Sequence, residues 1–399
     1  MLDETFDVVV IGAGPAGSRM AALTARAGLS TLLLEKRKKI GFPVRCAEGI
    51  GPRKDVERFL DLDDELISST IEGFAVVSPG GRWFEAEKRG VGFIIDRELF
   101  DRRLADLASE AGAEVRTSHQ VTGLLRDSHR FTGVEVTDLG SGRRYTAGAL
   151  VTAGADGVES ISPRWAGLKG AYLPHEVMSC AQHLITGMDF DDGKIEFHLG
   201  RHFAPGGYAW VFPKGPDTAN VGLGVNPAMA GGLKAVDYLE RFLESRCPGA
   251  ERGRLVVGGS IVARGLPSLA ADGFIAVGEA ANQSNPFSGG GIINALEGAD
   301  LAAETVIRAI LDEDVSARSL GRYTRKWKKS TGRANELFWH AAQSFYSMED
   351  EEMEKIMVKL KDTPGVVTDT GVDPLRVLRV LVSTRPGLVF RLVTALLKR

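Results

Sequence analysis

The chain has 399 residues, 44% of them apolar and 25% charged, and a formal net charge of -3. That balance suits a globular protein of one composite domain or two to three modules, and it excludes a basic nucleic-acid footprint. Three scattered cysteines (Cys46, Cys180, Cys247) exclude a disulfide framework, no Cys/His spacing suits a metal, and no window of 18 apolar residues could span a bilayer.

Taken in chain order, Met1 to Glu4 lead straight into a strand without a basic leader region, so the expected location is cytoplasmic. Phe6 to Ile11 (FDVVVI) is a short β-branched run of the kind that forms a buried parallel strand. A helix is predicted from Pro15 to Ala27 and a second strand from Ser30 to Leu34, which completes a βαβ unit. Glu98 to Gly112 has helical periodicity and stops on glycine. From about 114 to 148 the runs EVRTS, QVTGLL, GVEVTDL and RRYTAGALV alternate in polarity, which predicts a small antiparallel meander with a turn at Gly140, Ser141 and Gly142. Ala149 to Ala153 then returns to the parallel sheet. Between 171 and 267, HLIT, IEFHL, YAWVFP and ANVGLGV predict a second, mostly antiparallel sheet. Gly273 to Val277 is another buried strand, Gly291 to Leu311 a helix, and the remainder helical to its end.

The expected architecture is therefore an α/β fold with α+β elements. A discontinuous cofactor domain would take 1–170 and 268–315, an antiparallel substrate domain 171–267, and a helical C-terminal region 316–399.

Gly12, Ala13, Gly14, Pro15, Ala16 and Gly17 place a GxGxxG between the first strand and helix. Gly12 permits the tight turn, Gly14 lets the backbone approach a pyrophosphate, and Gly17 allows the helix to pack on the strand. The helix N-terminus adds free N–H groups and a positive dipole. Glu35, at the end of the second strand, stands where a carboxylate accepts ribose hydroxyls. This motif binds a dinucleotide without choosing between FAD and NAD. The second half of the chain chooses. Glu279 follows a buried strand, and Pro286, Gly289, Gly290, Gly291 and Ile292 crowd glycine against a helix start. Such a loop aims N–H groups at the electron-rich edge of an isoalloxazine, and the acid would take ribityl hydroxyls, so the expected cofactor is FAD.

With Gly154, Ala155, Asp156 and Gly157 these elements resemble the flavoprotein group that includes p-hydroxybenzoate hydroxylase. Two further segments narrow the resemblance to the geranylgeranyl reductases, especially archaeal digeranylgeranylglycerophospholipid reductases. Pro43 to Gly49 (PVRCAEG) matches that family's PxxCxEG segment, and Tyr208 to Lys214 (YAWVFPK) its YxWxFPK segment. The resemblance covers roughly residues 5–330. It implies a Rossmann-type FAD-binding domain and cofactor contacts at Ala16, Glu35, Cys46, Ala47, Gly49, Arg97, Val121, Glu279, Gly291 and Ile292. Glu279 departs from the pattern, since related flavoproteins carry Asp there and the extra methylene rearranges the contact.

Cys46 is the candidate catalytic residue, with Arg45 as a cationic neighbour that would lower its pKa; packing on the cofactor is the plainer role. Cys180 and Cys247 are expected in the core. Tyr208, Trp210 and Phe212 alternate along a strand and share one face, a candidate wall for an isoprenoid chain or simply an aromatic core. His175, His183, His198, His202 and His340 have no catalytic spacing. From Pro374 to Arg399 six basic residues and no acidic ones interleave with leucine and valine, a pattern for a helix lying on an anionic bilayer or packed on the body.

The resemblance implies an FAD-dependent reductase that saturates geranylgeranyl chains of membrane lipid precursors by hydride transfer from flavin N5. Its partners would be an isoprenoid lipid and an external electron donor, namely ferredoxin, deazaflavin or NADPH, because no second GxGxxG provides a nicotinamide domain. Peripheral attachment to the inner face of the cell membrane would follow from the tail. The alternatives are a flavin monooxygenase of an aromatic substrate and an electron-transfer flavoprotein to quinone, although the cysteines for an iron–sulfur module are missing.

Overall fold

The computed structural model describes residues 2–368, 371, 372, 376, 379, 380, 383 and 384. In chain order its strands are β1 (Glu4–Ile11), β2 (Thr31–Glu35), β3 (Gly49–Ile50), β4 (Ile67–Val77), β5 (Trp83–Ile95), β6 (Glu114–Thr117), β7 (His119–Arg126), β8 (Phe131–Asp138) and β9 (Arg144–Gly154). They continue as β10 (Val177–Thr186), β11 (Lys194–His198), β12 (Tyr208–Gly215), β13 (Thr218–Val225), β14 (Glu251–Arg252), β15 (Val256–Ile261), β16 (Ala270–Ala271) and β17 (Phe274–Ala276). The chain divides into two compact units. The first takes residues up to Val44, Arg97–Tyr172 and Ala263–Glu336, and the second Arg45–Asp96, Leu173–Val262 and the residues from Leu337 onward.

In the first unit the sheet runs β16-β17-β9-β1-β2-β6, and β6, β2, β1, β9 and β17 are parallel. Val8, Val9 and Val10 are fully buried because both faces of the central strand are covered. The helix Pro15–Arg26 packs through Ala16, Met20 and Ala21 into one core with Ala299, Ala302, Ala303 and Val306 of the helix Ile292–Leu311. Small side chains on both helices allow this close approach, and the Arg19–Asp300 ion pair at 2.7 Å ties them at the rim.

The second unit holds a nine-stranded sheet, β14-β10-β13-β12-β11-β4-β5-β3, with β15 on the far side of β10. Side chains alternate between its two faces along β10, β12 and β13. Ala181, Ile185, Ala209, Val211, Val221 and Leu223 face Leu239, Phe242 and Leu243 of the helix Ala235–Arg246, a helix the sequence did not announce. Tyr208, Trp210 and Phe212 point to the opposite face, with Ile71, Ile94 and Phe197.

Three expectations are corrected. The run EVRTS belongs not to the meander but to β6, parallel beside β2 with Leu32 opposite Glu114. An edge strand is half exposed and therefore alternates like an antiparallel one, so periodicity could not separate them. The meander is β7-β8-β9, and β9 alone serves as both its last strand and the return to the parallel sheet.

Residues 45–96, expected in the cofactor domain, join the second unit because β4 pairs in parallel with β11 from Gly73–Lys194 to Val77–His198. Residues 316–336, expected in the C-terminal region, stay with the first unit, where Tyr323 and Trp327 enter its core.

The C-terminal region is helical, as expected, with an interruption after its helix Asp350–Asp362. After the helix Asp350–Asp362, Pro364 and Gly365 (φ +72°) interrupt the helical path, and Val367–Thr368 pairs with Gly371–Val372. The basic segment from Pro374 to Arg399 lies largely outside the described residues.

Candidate functional site

In the first unit β1, β9 and β17 end level, with Ile11 opposite Gly154 and Gly154 opposite Ala276. The crevice outside the carboxyl ends of parallel strands is where such sheets bind ligands. Three glycines make the crossing there. A Cβ on Gly12 (φ +99°) would stand 2.6 Å from the Ala155 carbonyl oxygen, and one on Gly17 would stand 1.9 Å from the Gly12 oxygen. Gly14 has nothing within 4 Å of its Cβ position, so its backbone edge is open. No side chain caps the helix Pro15–Arg26 and no acid sits in its first turn. Its N-terminal N–H groups are thus suited to a pyrophosphate.

Glu35, 9% exposed, accepts from the Ala13 N–H at 3.0 Å through Oε2 and from the Arg37 N–H at 2.9 Å through Oε1. Each carboxylate oxygen keeps a second lone pair for a ribose hydroxyl.

The second glycine loop comes to the same place. Gly278 (φ +69°) is so close to the first helix that a Cβ there would be 2.7 Å from the Ala16 Cβ. Glu279 is half-buried in the 3-10 turn Gly278–Ala281. Buried Gln283 braces this turn: its Oε1 accepts from the Gly278 N–H at 2.6 Å and its Nε2 donates to the Tyr323 hydroxyl at 2.7 Å. The Gln283 carbonyl accepts from Asn294 (2.8 Å) and Asn335 (3.0 Å). From Asn285 to Gly290 the loop is shaped by the Asn285 side chain, which accepts from the N–H groups of Phe287 and Ser288. Pro286 is buried while Gly289 and Gly290 are exposed. Gly291 caps the helix Ile292–Leu311, again without a side-chain cap, which leaves first-turn N–H groups for the cofactor edge.

Ser160, Lys169, Tyr172 and Asn282 support the turn from below. The Ser160 hydroxyl donates to the Ala280 carbonyl at 2.9 Å, the Tyr172 hydroxyl to Asn282 Oδ1 at 2.5 Å, and Lys169 bonds both Ser160 and Tyr172. These braces, with Gln283, were missed in the sequence. The polar run Asn282, Gln283, Ser284 directly after a buried strand was the available signal, since buried polar side chains are there to be bonded.

Three further candidate residues have partners within the first unit. Asp156 Oδ2 accepts from the N–H groups of Ile161 and Ser162, both at 2.7 Å, and Oδ1 from the Ser162 hydroxyl. These bonds close the turn from Asp156 to Ser162. Arg97 grips Asp101 in a bidentate pair at 2.9 and 2.7 Å within its own helix. Val121 is half-buried against the core of Val9, Ile11, Leu32 and Leu34.

The second unit carries the two family-specific segments. Cys46 is half-buried, and its Sγ accepts from the Glu48 N–H at 3.2 Å. The Cys46 carbonyl accepts from Gln182 Nε2 at 3.0 Å. Glu48, which sequence reasoning did not single out, is 2% exposed and its Oε2 accepts from Lys214 Nζ at 2.7 Å and from Asn220 Nδ2 at 2.5 Å. Gly49 fits closely here, as a Cβ would fall 2.8 Å from the Phe212 ring.

Tyr208, Trp210 and Phe212 do share a face and form edge-to-face contacts: Phe197 meets Tyr208 at 5.4 Å and Phe212 at 5.6 Å. Burial raises the Tyr208 hydroxyl pKa far above its ordinary value. Cys180, expected in the core, is half-buried beside this face, while Cys247 is buried and its thiol is pushed up to about 11 by burial. His198 is structural, bonded to Glu196 at 2.8 Å.

Residues 176–262 match the profile of the geranylgeranyl reductase catalytic domain, and residues 7–158 that of the FAD-dependent oxidoreductases. The chain is 39% identical over 370 residues to digeranylgeranylglycerophospholipid reductase 1 of Methanococcoides burtonii, covering 90% of this chain and 89% of that one. It is 39% identical over 368 residues to digeranylgeranylglycerophospholipid reductase of Methanosarcina acetivorans, with 90% of each chain covered. A geranylgeranyl bacteriochlorophyll reductase-like protein from Thermoplasma acidophilum superposes with a TM-score of 0.90 at 30% identity, over 98% of this chain and 99% of that one. With its uncapped helix ends and converging glycine loops fitting an extended dinucleotide, the chain belongs to the geranylgeranyl reductase family of FAD-dependent oxidoreductases.

Proposed function

We propose that this protein saturates the double bonds of geranylgeranyl chains in isoprenoid, archaeal-type membrane lipid precursors. The observation that carries the FAD half of this reading is the contact distance between Gly278 and Ala16, which brings two loops far apart in sequence to one cofactor. The lipid half is supported by the aromatic face of Tyr208, Trp210 and Phe212 on the strands that match the reductase catalytic domain.

FAD, when bound, supplies hydride chemistry at flavin N5. Around it the chain's own groups hold and orient. Gly12, Gly14, Ala16 and Gly17 present backbone to the pyrophosphate, Glu35 takes ribose hydroxyls, and Glu279 takes the ribityl chain. Arg45, Cys46, Ala47 and Gly49 are further cofactor contacts in this reading, with Cys46 as the chemically reactive group. Gly290, Gly291 and Ile292 would present N–H groups to the ring edge, with Pro286 packed beside them. An unactivated trisubstituted alkene is a poor hydride acceptor, so an apolar, water-poor wall that fixes its position is what this chemistry asks of a protein. The electron donor is an external ferredoxin, deazaflavin or NADPH, and the basic C-terminal segment supplies peripheral contact with an anionic membrane. Among the described residues no helix is long and apolar enough to cross a membrane.

The test is anaerobic incubation of the dithionite-reduced, FAD-loaded protein with geranylgeranyl glycerophospholipid, read by mass spectrometry. The expected product gains one pair of hydrogens per double bond. No gain on the lipid, together with oxygen-dependent insertion of an oxygen atom into an aromatic compound, overturns the reading.

A further inference from the structure

The turn from Cys46 to Gly49 contains a residue in a conformation its type disfavours. Glu48 has φ +71°, a left-handed backbone without the freedom of glycine. Such strain persists only where the surroundings over-determine it. They do so here. The buried Glu48 carboxylate is held by Lys214 of β12 at 2.7 Å and Asn220 of β13 at 2.5 Å. Its carbonyl accepts from the Ile95 N–H at 3.0 Å. The preceding carbonyls are also held, Ala47 by Asn220 at 3.4 Å and Cys46 by Gln182 at 3.0 Å. One consequence of this fixed turn is chemical: the Glu48 N–H points back at the Cys46 sulfur, 3.2 Å away.

We propose that Glu48, anchored by Lys214 and Asn220, is the positioning residue of the Cys46 thiol. Its carboxylate holds residue 48 in the left-handed region, and that conformation aims the amide at Sγ. The inference rests on the role given to Cys46 above only for its effect on turnover; the positioning itself is measurable without a lipid. An N–H donor to sulfur favours the thiolate, the form that reacts with alkylating agents. The charged or titratable groups around the thiol are Arg45 and Glu48 on its own segment, Lys214 and Tyr208 of β12, and Cys180 of β10. Removing Glu48 alone would leave the Lys214 cation unbalanced, so the informative variants delete the pair together.

The experiment follows iodoacetamide alkylation of Cys46 against pH in the FAD-loaded full chain, by peptide mass spectrometry, with buried Cys247 as internal control. Glu48→Ala/Lys214→Met keeps the net charge but releases the turn, and Cys46 alkylation at neutral pH is expected to slow about fivefold. Glu48→Gly/Lys214→Met also lacks the anchor, yet glycine adopts φ above zero unaided, so it is expected to restore most of the parent rate. Equal behaviour of the Ala and Gly variants, whether both fast or both slow, overturns the proposal. If the Ala variant does not fold into a yellow protein, Asn220→Ala, which removes one anchor, is expected to slow alkylation by a smaller factor, and an unchanged profile there sinks the idea equally. Cys46→Ser separates the two readings: parent-like lipid turnover in that variant ends the catalytic role of Cys46 while leaving the alkylation result to stand.

Discussion

At Gly278 a single hydrogen atom in place of a side chain lets the flavin-side loop touch the first helix. Its φ of +69° strains any other residue, and its Cβ direction is blocked by Ala16 at 2.7 Å. Gly28, which ends that helix at φ +85°, shares the strain but has nothing within 4 Å. The two positions therefore separate backbone strain from loop convergence. Both alanine variants are expected to lose about 1 kcal/mol of stability from the left-handed backbone. Only Gly278→Ala is expected to weaken FAD binding, by tenfold or about 1.4 kcal/mol. Fluorescence titration of the apoprotein with FAD checks this, and equal affinities in the two variants would count against the convergence of the loops on one cofactor.

Between elements, a buried polar tie in the second unit joins β11 to the end of the helix Ala235–Arg246. Arg246 holds Glu196 in a bidentate pair at 2.9 and 2.6 Å, and His198 Nε2 donates to the same carboxylate at 2.8 Å. Burial pushes the Glu196 carboxyl upward, but the hydrogen bonds from His198 and Arg246 outweigh it and hold the group below its ordinary value. A carboxyl depressed in the folded state stabilises above its unfolded pKa, near 4.3, and loses that contribution as pH falls through the lower folded value. Arg246→Met strands the buried acid and is expected to cost about 3 kcal/mol at pH 7. The gap between parent and variant should narrow as the medium is acidified below about pH 4, because the parent then loses the same interaction. Urea midpoints at the two pH values decide it; a gap that widens in acid contradicts the assignment.

None of this pairing was legible in the sequence, because Glu196 and Arg246 meet only after a sheet and a helix have packed. The βαβ start, the period-two face of Tyr208, Trp210 and Phe212, and the long helix after Gly291 were legible, since each is written in local spacing. The braces behind the glycine loops and the Glu48 anchor were not, because burial decides which polar side chains must find partners.

For the whole molecule, the chain passes repeatedly between its units, and β4 finds β11 only across a long intervening stretch. Local periodicity carries no record of such a pairing, which is why residues 45–96 read from sequence as part of the cofactor domain. What composition does record over long stretches is charge. The chain as a whole is slightly acidic at -3, yet Arg376, Arg379, Arg385, Arg391, Lys398 and Arg399 crowd its last residues without an acid among them. A protein with that asymmetry, acting on a lipid substrate, is expected to meet an anionic bilayer by this end, with each basic group near the surface worth about 1 kcal/mol. Replacing Arg391, Lys398 and Arg399 with glutamate should abolish co-sedimentation with phosphatidylglycerol vesicles at low salt and leave FAD content unchanged. Raising the salt should weaken the parent's binding, because the attraction is screened within a Debye length. If the charge-reversed and parent proteins sediment alike, the tail is not the membrane contact, and the lipid must reach the reductase by another surface.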